Sequence, residues 1–142
     1  MEPSALPGLK DWLVDTDPRT YLRANASVSD AAAFSLLFWP AFVEYRGGVF
    51  LGLTFEPSGV DLWFDQLSGD VRAVEGVVNH LHLWDAFSPE PGPESAFLSG
   101  LARQIAEMWQ AALNLRMPGR EFVFTVSDDP EDYGPTISFR TA

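Results

Sequence analysis

Apolar residues recur at helical spacing in the C-terminal half of the chain. Between residues 94 and 115 they fall three and four positions apart, which keeps one face of a helix apolar. These positions are Phe97, Leu98, Leu101, Ile105, Met108, Trp109, Ala112 and Leu113. Pro118 and Gly119 follow, and this pair is typical of the end of a helix. The pattern predicts that 94–115 is the longest helix of the chain.

A second helical pattern begins at Asp70, a residue type that favours the N-cap position. The apolar positions of one face are Val71, Val74, Val78 and Leu81. Their spacing predicts a helix that continues through Leu81.

Two shorter helices are expected in the N-terminal half. Ser29 and Asp30 fit an N-cap for a helix over 31–38, which Pro40 ends. Residues 60–67 fit either a third strand, by their bulky side chains, or a short helix, and the helix is favoured.

Two segments have the pattern of β-hairpins. In the first, 41–55, apolar residues flank Gly47 and Gly48, and the two glycines supply the positive φ angles of a two-residue turn. In the second, 121–140, strand-like residues lie on both sides of an acidic loop. The consecutive apolar residues 122–124 indicate a strand covered on both faces.

These elements predict an α+β fold. A chain of 142 residues is in the usual size range of one domain, so we expect a single layered domain over 1–142. Its mainly antiparallel sheet would contain about four strands, contributed by the hairpins 41–55 and 121–140, and would pack against the helices.

Composition and charge narrow the class of partner. Twenty acidic residues oppose nine basic ones, for a net charge of −11, yet 46% of the residues are hydrophobic. This is the composition of a folded domain with an acidic exterior, not of a disordered acidic tail. Such a surface repels nucleic acid and anionic membranes and attracts basic proteins.

The compartment is predicted from what the sequence lacks. The N-terminus has no basic and apolar secretory signal, and no apolar run approaches the roughly 18 residues of a membrane helix. We therefore expect a cytoplasmic protein. Eight arginines to one lysine are typical of a GC-rich bacterial genome.

Enzyme signatures are absent from the sequence. The chain has no Cys, no Gly-x-Ser-x-Gly elbow and no glycine-rich nucleotide loop, so we expect a non-enzymatic protein without a cofactor. Glu44, Glu56 and Asp85 are the best candidates for acid–base chemistry, because they stand among apolar residues where burial raises a carboxyl pKa.

A weaker alternative is a metal site at His80, His82 and Asp85. In a strand, two residues at this spacing share one face and can bind one ion. In a helix they diverge by about 200° and cannot. The helical periodicity before Leu81 favours His80 at a helix C-terminus, where a cation is stabilised.

Partner binding is expected at exposed aromatic and acidic residues. Trp39 and Trp84 stand at the ends of predicted elements, and an acidic loop lies between the last two strands. The candidate binding residues are Trp39, Trp84, Asp128, Asp129, Glu131, Asp132 and Tyr133. The acidic loop lacks the ligand spacing of a helix-loop-helix calcium site.

The favoured hypothesis is therefore a bacterial binding protein whose acidic, aromatic face binds a basic protein, in one version an immunity protein that neutralises a toxin. The alternative is a small-molecule or peptide-binding domain, with or without weak enzymatic activity. Its pocket would lie between sheet and helices, lined by Trp63, Trp84 and Trp109. A third hypothesis is a scaffold that oligomerises through an apolar sheet face.

Overall fold

A computed structural model describes residues 3–10 and 17–142; Trp12 lies outside the described residues. These residues form an α+β fold, as predicted. The α-helices are α1 (Pro18–Asn25), α2 (Val28–Phe38), α3 (Pro57–Gln66), α4 (Val71–Val78) and α5 (Pro93–Arg116). The strands are β1 (Phe42–Tyr45), β2 (Gly48–Leu51), β3 (His80–His82), β4 (Phe122–Ser127) and β5 (Thr136–Thr141).

The helix predictions are confirmed in their main points. The longest helix, α5, has 24 residues, and the ambiguous segment before residue 67 is the helix α3. α2 begins earlier than predicted, because Ser27, not Ser29, is its N-cap. The Ser27 side chain accepts from the backbone N–H of Asp30, and the Asp30 carboxylate accepts from the Ser27 N–H.

The first hairpin, β1–β2, turns one residue earlier than the two glycines suggested. Tyr45 pairs with Gly48, so only Arg46 and Gly47 remain to form the turn. These two residues have positive φ angles of 49° and 83°. Gly48 belongs to β2, which ends at Leu51 instead of continuing to residue 55.

The other three strands form a separate antiparallel sheet in the order β3-β5-β4. The predicted single sheet of about four strands is therefore corrected to two small sheets with five strands. β4 is an edge strand with an alternating burial pattern, and Val123 is 43% exposed. The expectation that this strand is covered on both faces was wrong, because α5 covers only one face.

The helix predicted through Leu81 ends three residues earlier. α4 stops at Val78, and Asn79 leaves the helical conformation with φ −83° and ψ 51°. His80 then pairs with Ser138 of β5, and His82 pairs with Thr136. Pairing with β5 outweighs the helical periodicity here, so both histidines belong to a strand.

Two buried polar side chains, Glu75 of α4 and its C-cap residue Asn79, join the two sheets, and Asn79 reaches β5 through the Phe139 carbonyl at 3.3 Å. The Glu75 carboxylate accepts hydrogen bonds from the N–H of Val49 in β2, at 2.8 Å, and of Thr141 in β5, at 2.7 Å. The Asn79 amide oxygen accepts from the N–H of Leu51 at 2.8 Å, and its NH₂ group donates to the Val49 carbonyl. These bonds satisfy backbone groups on the edge of β2 that faces away from β1.

The main hydrophobic core lies between α5 and the three-stranded sheet. Trp109 is fully buried, packs edge-on against Phe139 of β5, and donates its indole N–H to the Leu37 carbonyl at 2.7 Å. A second cluster fills the space between β2, α3 and α4. Among the described helices, none is long and apolar enough to cross a membrane.

Candidate functional site

One end of the three-stranded sheet collects most of the residues that the sequence analysis selected. Because β3 and β4 both run antiparallel to β5, their C-terminal ends lie beside the N-terminal end of β5. The short 3₁₀ turn Leu83–Asp85 follows β3, and the acidic loop 128–135 connects β4 to β5. The Leu83 N–H donates to the Pro135 carbonyl at 2.8 Å, which joins the turn to the loop.

An aromatic pair marks the centre of this end. The rings of Trp84 and Tyr133 meet edge to face with centroids 5.3 Å apart, and 39% of Trp84 and 57% of Tyr133 are exposed. Gly134 lies against the Trp84 indole with a φ of 72°. The loop therefore holds both rings in a defined orientation while leaving part of each in solvent.

The carboxylates of the loop are exposed, and each makes different contacts with nearby residues. Asp128 forms an ion pair with Arg103 of α5 at 2.9 Å. Asp132 accepts a hydrogen bond from the Ser127 hydroxyl, and Asp129 accepts one from the Glu131 N–H. In the described part of the chain, neither Asp129 nor Glu131 has a basic partner within salt-bridge distance. Within residues 3–10 and 17–142, their charges therefore face solvent without a counterion.

A shallow cleft separates the loop from the start of α5. Its volume is about 140 Å³, and its walls include Trp84, Ser99, Asp129 and Pro130. Drug-sized ligands occupy pockets of roughly 300–1,000 Å³. The cleft is therefore smaller than the usual pocket for a drug-sized ligand.

The two histidines form a hydrogen-bonded pair on one face of β3. Their Nε2 atoms are 2.9 Å apart, and their ring centroids are separated by 4.5 Å. Burial and the neighbouring His82 imidazole lower the pKa of His80, whereas Asp132 and Asp85 act in the opposite direction. The expectation that His80 lies at a helix C-terminus was wrong, because both residues are extended.

Thr136 fixes the proton position on His82. Its hydroxyl donates to the Gly134 carbonyl at 3.1 Å and lies 2.8 Å from Nδ1 of His82. A carbonyl can only accept, so the single hydroxyl proton is used there and Nδ1–H of His82 donates to Thr136. In the neutral ring, Nε2 of His82 then carries a lone pair and can accept a hydrogen bond from Nε2–H of His80.

Trp39 lies apart from this end of the molecule. It follows α2 and is 45% exposed. The carbonyl of its neighbour Pro40 accepts from Arg116, whereas Asp128 contacts Arg103. At about 1.5 Å of rise per residue, these two arginines are separated by about 20 Å along α5. The candidate binding residues thus form one group at the acidic loop, without Trp39.

The three tryptophans proposed to line a pocket are not brought together. Trp109 is fully buried in the main core, whereas Trp63 is an exposed residue of α3. Of the three, Trp84 borders the cleft at the acidic loop. A shared pocket would need an accessible Trp109, which the packing against Phe139 excludes.

The candidate acid–base residues have structural partners or solvent around them. Glu44 is exposed and lies 3.3 Å from Arg120. Glu56 caps α3, and hydrogen bonds from Ser58 and Gly59 lower its pKa, which is opposite to the expected direction. Asp85 is exposed at the 3₁₀ turn, close enough to His80 to act on its pKa.

Sequence reasoning missed Thr136, Gly134 and Arg103 as parts of this site. A hydroxyl and a glycine in a loop have no distinctive spacing, and their contacts become visible only when β3 pairs with β5. Within the residues that the structure describes, no group of three or more His, Cys, Asp or Glu side chains is arranged to hold a metal ion.

No family model, curated protein or solved structure is significantly similar to the chain. Its function is therefore inferred from its own residues and their geometry.

Proposed function

We propose that the protein is a non-enzymatic binding protein whose acidic, aromatic end docks on a basic protein. The observation that carries this proposal is the proximity of the exposed Trp84–Tyr133 pair to the acidic loop 128–132. We call these residues together the acidic aromatic face.

The charge balance of the acidic aromatic face supports a cationic partner. The loop contributes four carboxylates within five residues, and Asp85 adds a fifth nearby. Arg103 neutralises Asp128, but Asp129 and Glu131 have no salt-bridge partner among the described residues. An uncompensated negative surface accelerates encounter with a positive one and disfavours negatively charged competitors.

The aromatic pair supports a protein partner in particular. Binding energy in protein interfaces concentrates in Trp, Tyr and Arg residues at partly enclosed positions. Trp84 and Tyr133 are held by Gly134 and by each other, so little side-chain freedom is lost when they are covered. A basic side chain entering the cleft would meet the Trp84 indole and a carboxylate together.

In its specific form, the proposal is an immunity protein that occupies the cationic cleft of a toxin nuclease. Such a cleft must be positive to hold phosphates, and an acidic surface competes for the same charges. A gene for a secreted toxin directly upstream of this gene would support this form. An operon of metabolic enzymes would favour a small ligand instead.

The test compares two variants with equal charge. Asp129→Asn with Glu131→Gln removes two charges from the acidic aromatic face, whereas Asp65→Asn with Glu121→Gln removes two exposed charges elsewhere. Glu121 precedes β4, at the end of that strand opposite the loop. Both variants and the wild-type chain would be immobilised and used to capture proteins from lysate of the native host, and the affinity for any basic protein retained would then be measured.

We expect the face variant to lose most of its affinity for that protein and the control to bind as wild type, with affinity falling as salt rises. Equal loss in both variants would mean that net charge alone attracts the protein. A third variant, Tyr133→Ser, removes one ring of the aromatic pair. Capture that changes neither with salt nor in this variant would refute docking through the acidic aromatic face.

A further inference from the structure

The proposed docking of a basic protein does not use the nitrogens of the His80–His82 pair, although the His82 ring meets Tyr133 edge to face with centroids 5.6 Å apart. The two imidazoles occupy alternate positions of β3, so both project from the same face of the sheet. This is the arrangement in which the two histidines can bind one ion, and the helical alternative that would separate them is excluded by the pairing with β5.

We propose that His80 and His82 form a two-imidazole binding site for one divalent transition-metal ion, with Cu²⁺ as the strongest binder and Zn²⁺ as a weaker one. Imidazole nitrogens suit both ions, and Cu²⁺ binds a given set of nitrogen ligands most tightly in the divalent series. Water molecules complete the coordination, since two protein ligands leave positions open.

The distance between the ligand atoms fits a shared ion. Bonds of about 2.0–2.1 Å to two imidazoles separate their nitrogens by about 2.9 Å at a right angle and by about 3.4 Å at a tetrahedral angle. The Nε2 atoms of His80 and His82 are already 2.9 Å apart. Binding replaces the proton shared by the two nitrogens with the ion.

The surroundings prepare one ligand for coordination. Nδ1–H of His82 donates to Thr136, whose hydroxyl is in turn fixed by the Gly134 carbonyl. A metal-bound histidine characteristically donates its other N–H to such a partner, which fixes both the tautomer and the ring orientation. In the neutral ring, Nε2 of His82 thus presents a lone pair to an incoming ion.

The negative charge around the two imidazoles favours the binding of a cation. Asp132 and Asp85 are near enough to His80 to act on its charge state. Their negative charge stabilises a doubly charged ion at the imidazoles.

Binding can be measured on the full chain without a tag. Zn²⁺ would be titrated by calorimetry at pH 7.5, and pulsed electron paramagnetic resonance with Cu²⁺ would count the coordinated imidazoles. We expect one Zn²⁺ per chain and a Cu²⁺ signal with two imidazole nitrogens. His80→Gln and His82→Gln should each weaken binding at least as much as loss of an outer-shell partner, about 10–100-fold.

A matched control separates this site from general attraction to carboxylates. Asp129→Asn with Glu131→Gln lowers the negative charge nearby but keeps both histidines, so its Zn²⁺ affinity should stay within a few-fold of wild type. Thr136→Val should weaken binding about tenfold, and Thr136→Ser, which keeps the hydroxyl, should restore it. Circular dichroism would verify that each variant is folded.

A wild-type chain that shows no imidazole nitrogen in the Cu²⁺ signal would overturn the proposal, as would equal Zn²⁺ binding by a folded double variant of both histidines. Loss of partner capture in the charge variant with retained Zn²⁺ binding would leave the metal site intact and separate it from the docking proposal.

Discussion

The α-carbon of Gly134 lies directly against the indole ring of Trp84. A Cβ built at this glycine would be 2.5 Å from Cγ and Cδ1 of the ring, and the residue has a φ of 72°. Both properties require glycine, one through steric contact and one through backbone conformation. Gly134 therefore brings the acidic loop against the turn that follows β3.

Gly134→Ala should destabilise the fold by about 2–4 kcal/mol, because it adds a ring clash to the cost of the left-handed conformation. Gly47→Ala is the matched control, since Gly47 has a φ of 83° but nothing within 4 Å of its Cβ position. It should cost only about 1–2 kcal/mol. Urea unfolding measures both changes, and equal effects would show that Trp84 does not constrain the loop.

Glu75→Gln should lower the free energy of unfolding by about 1–3 kcal/mol. Both carboxylate oxygens accept hydrogen bonds, from the N–H groups of Val49 and Thr141 and from the Thr141 hydroxyl. In the glutamine, an NH₂ group would replace one of the two accepting oxygens and would face a donor from Val49 or Thr141. A stability equal to wild type in urea unfolding would show that Glu75 does not join the two sheets.

Gly76→Ala changes the next residue of α4 and should raise the free energy of unfolding, whereas Glu75→Gln should lower it. Gly76 is within the helix, and nothing lies within 4 Å of its Cβ position. Alanine should stabilise the protein by about 0.5–1 kcal/mol, because it reduces the entropy lost on helix formation. Thermal unfolding measures the gain. A lower melting temperature would reveal a contact on this side of α4.

The pH dependence of stability should report on His80. The pKa of His80 in the folded protein lies below its ordinary value of 6.5, chiefly because of burial and His82. Between the two pKa values, the unfolded chain binds more protons than the folded one, so stability rises with pH across this window and falls on acidification. Above 6.5 this contribution becomes constant.

Unfolding free energies measured across the window just below pH 6.5 should therefore show a positive slope in the wild-type chain and a smaller slope in His80→Gln. NMR titration of the His80 ring would give the pKa directly. A His80 pKa at or above the ordinary value would contradict the lowering that partial burial and the neighbouring His82 ring cause.

The elements predicted from local pattern are the ones whose stability is mostly local. The apolar stripe of α5 and the Asp70 cap of α4 depend only on residues close together in the sequence, and both were predicted correctly. β3 is different, because its three residues are held by pairing with β5 at the far end of the chain. The pattern of residues 80–82 alone does not indicate that they pair with β5.

The site was only partly predictable for the same reason. An acidic loop and exposed aromatics can be selected by composition, and the structure brings Trp84 beside Tyr133 and the loop. Trp39 has the same local character but lies near the other end of α5. Its position depends on how α2 packs, which the residues around Trp39 do not encode.

The most direct test of the docking proposal is to locate the interface in a complex with the basic protein that the wild-type chain captures. Amide hydrogen exchange should slow on complex formation in the loop 128–133 and around Trp84, and remain unchanged around Trp39 and Trp63. Protection confined to α2 or α3, with the acidic loop exchanging as in the free protein, would contradict the proposal.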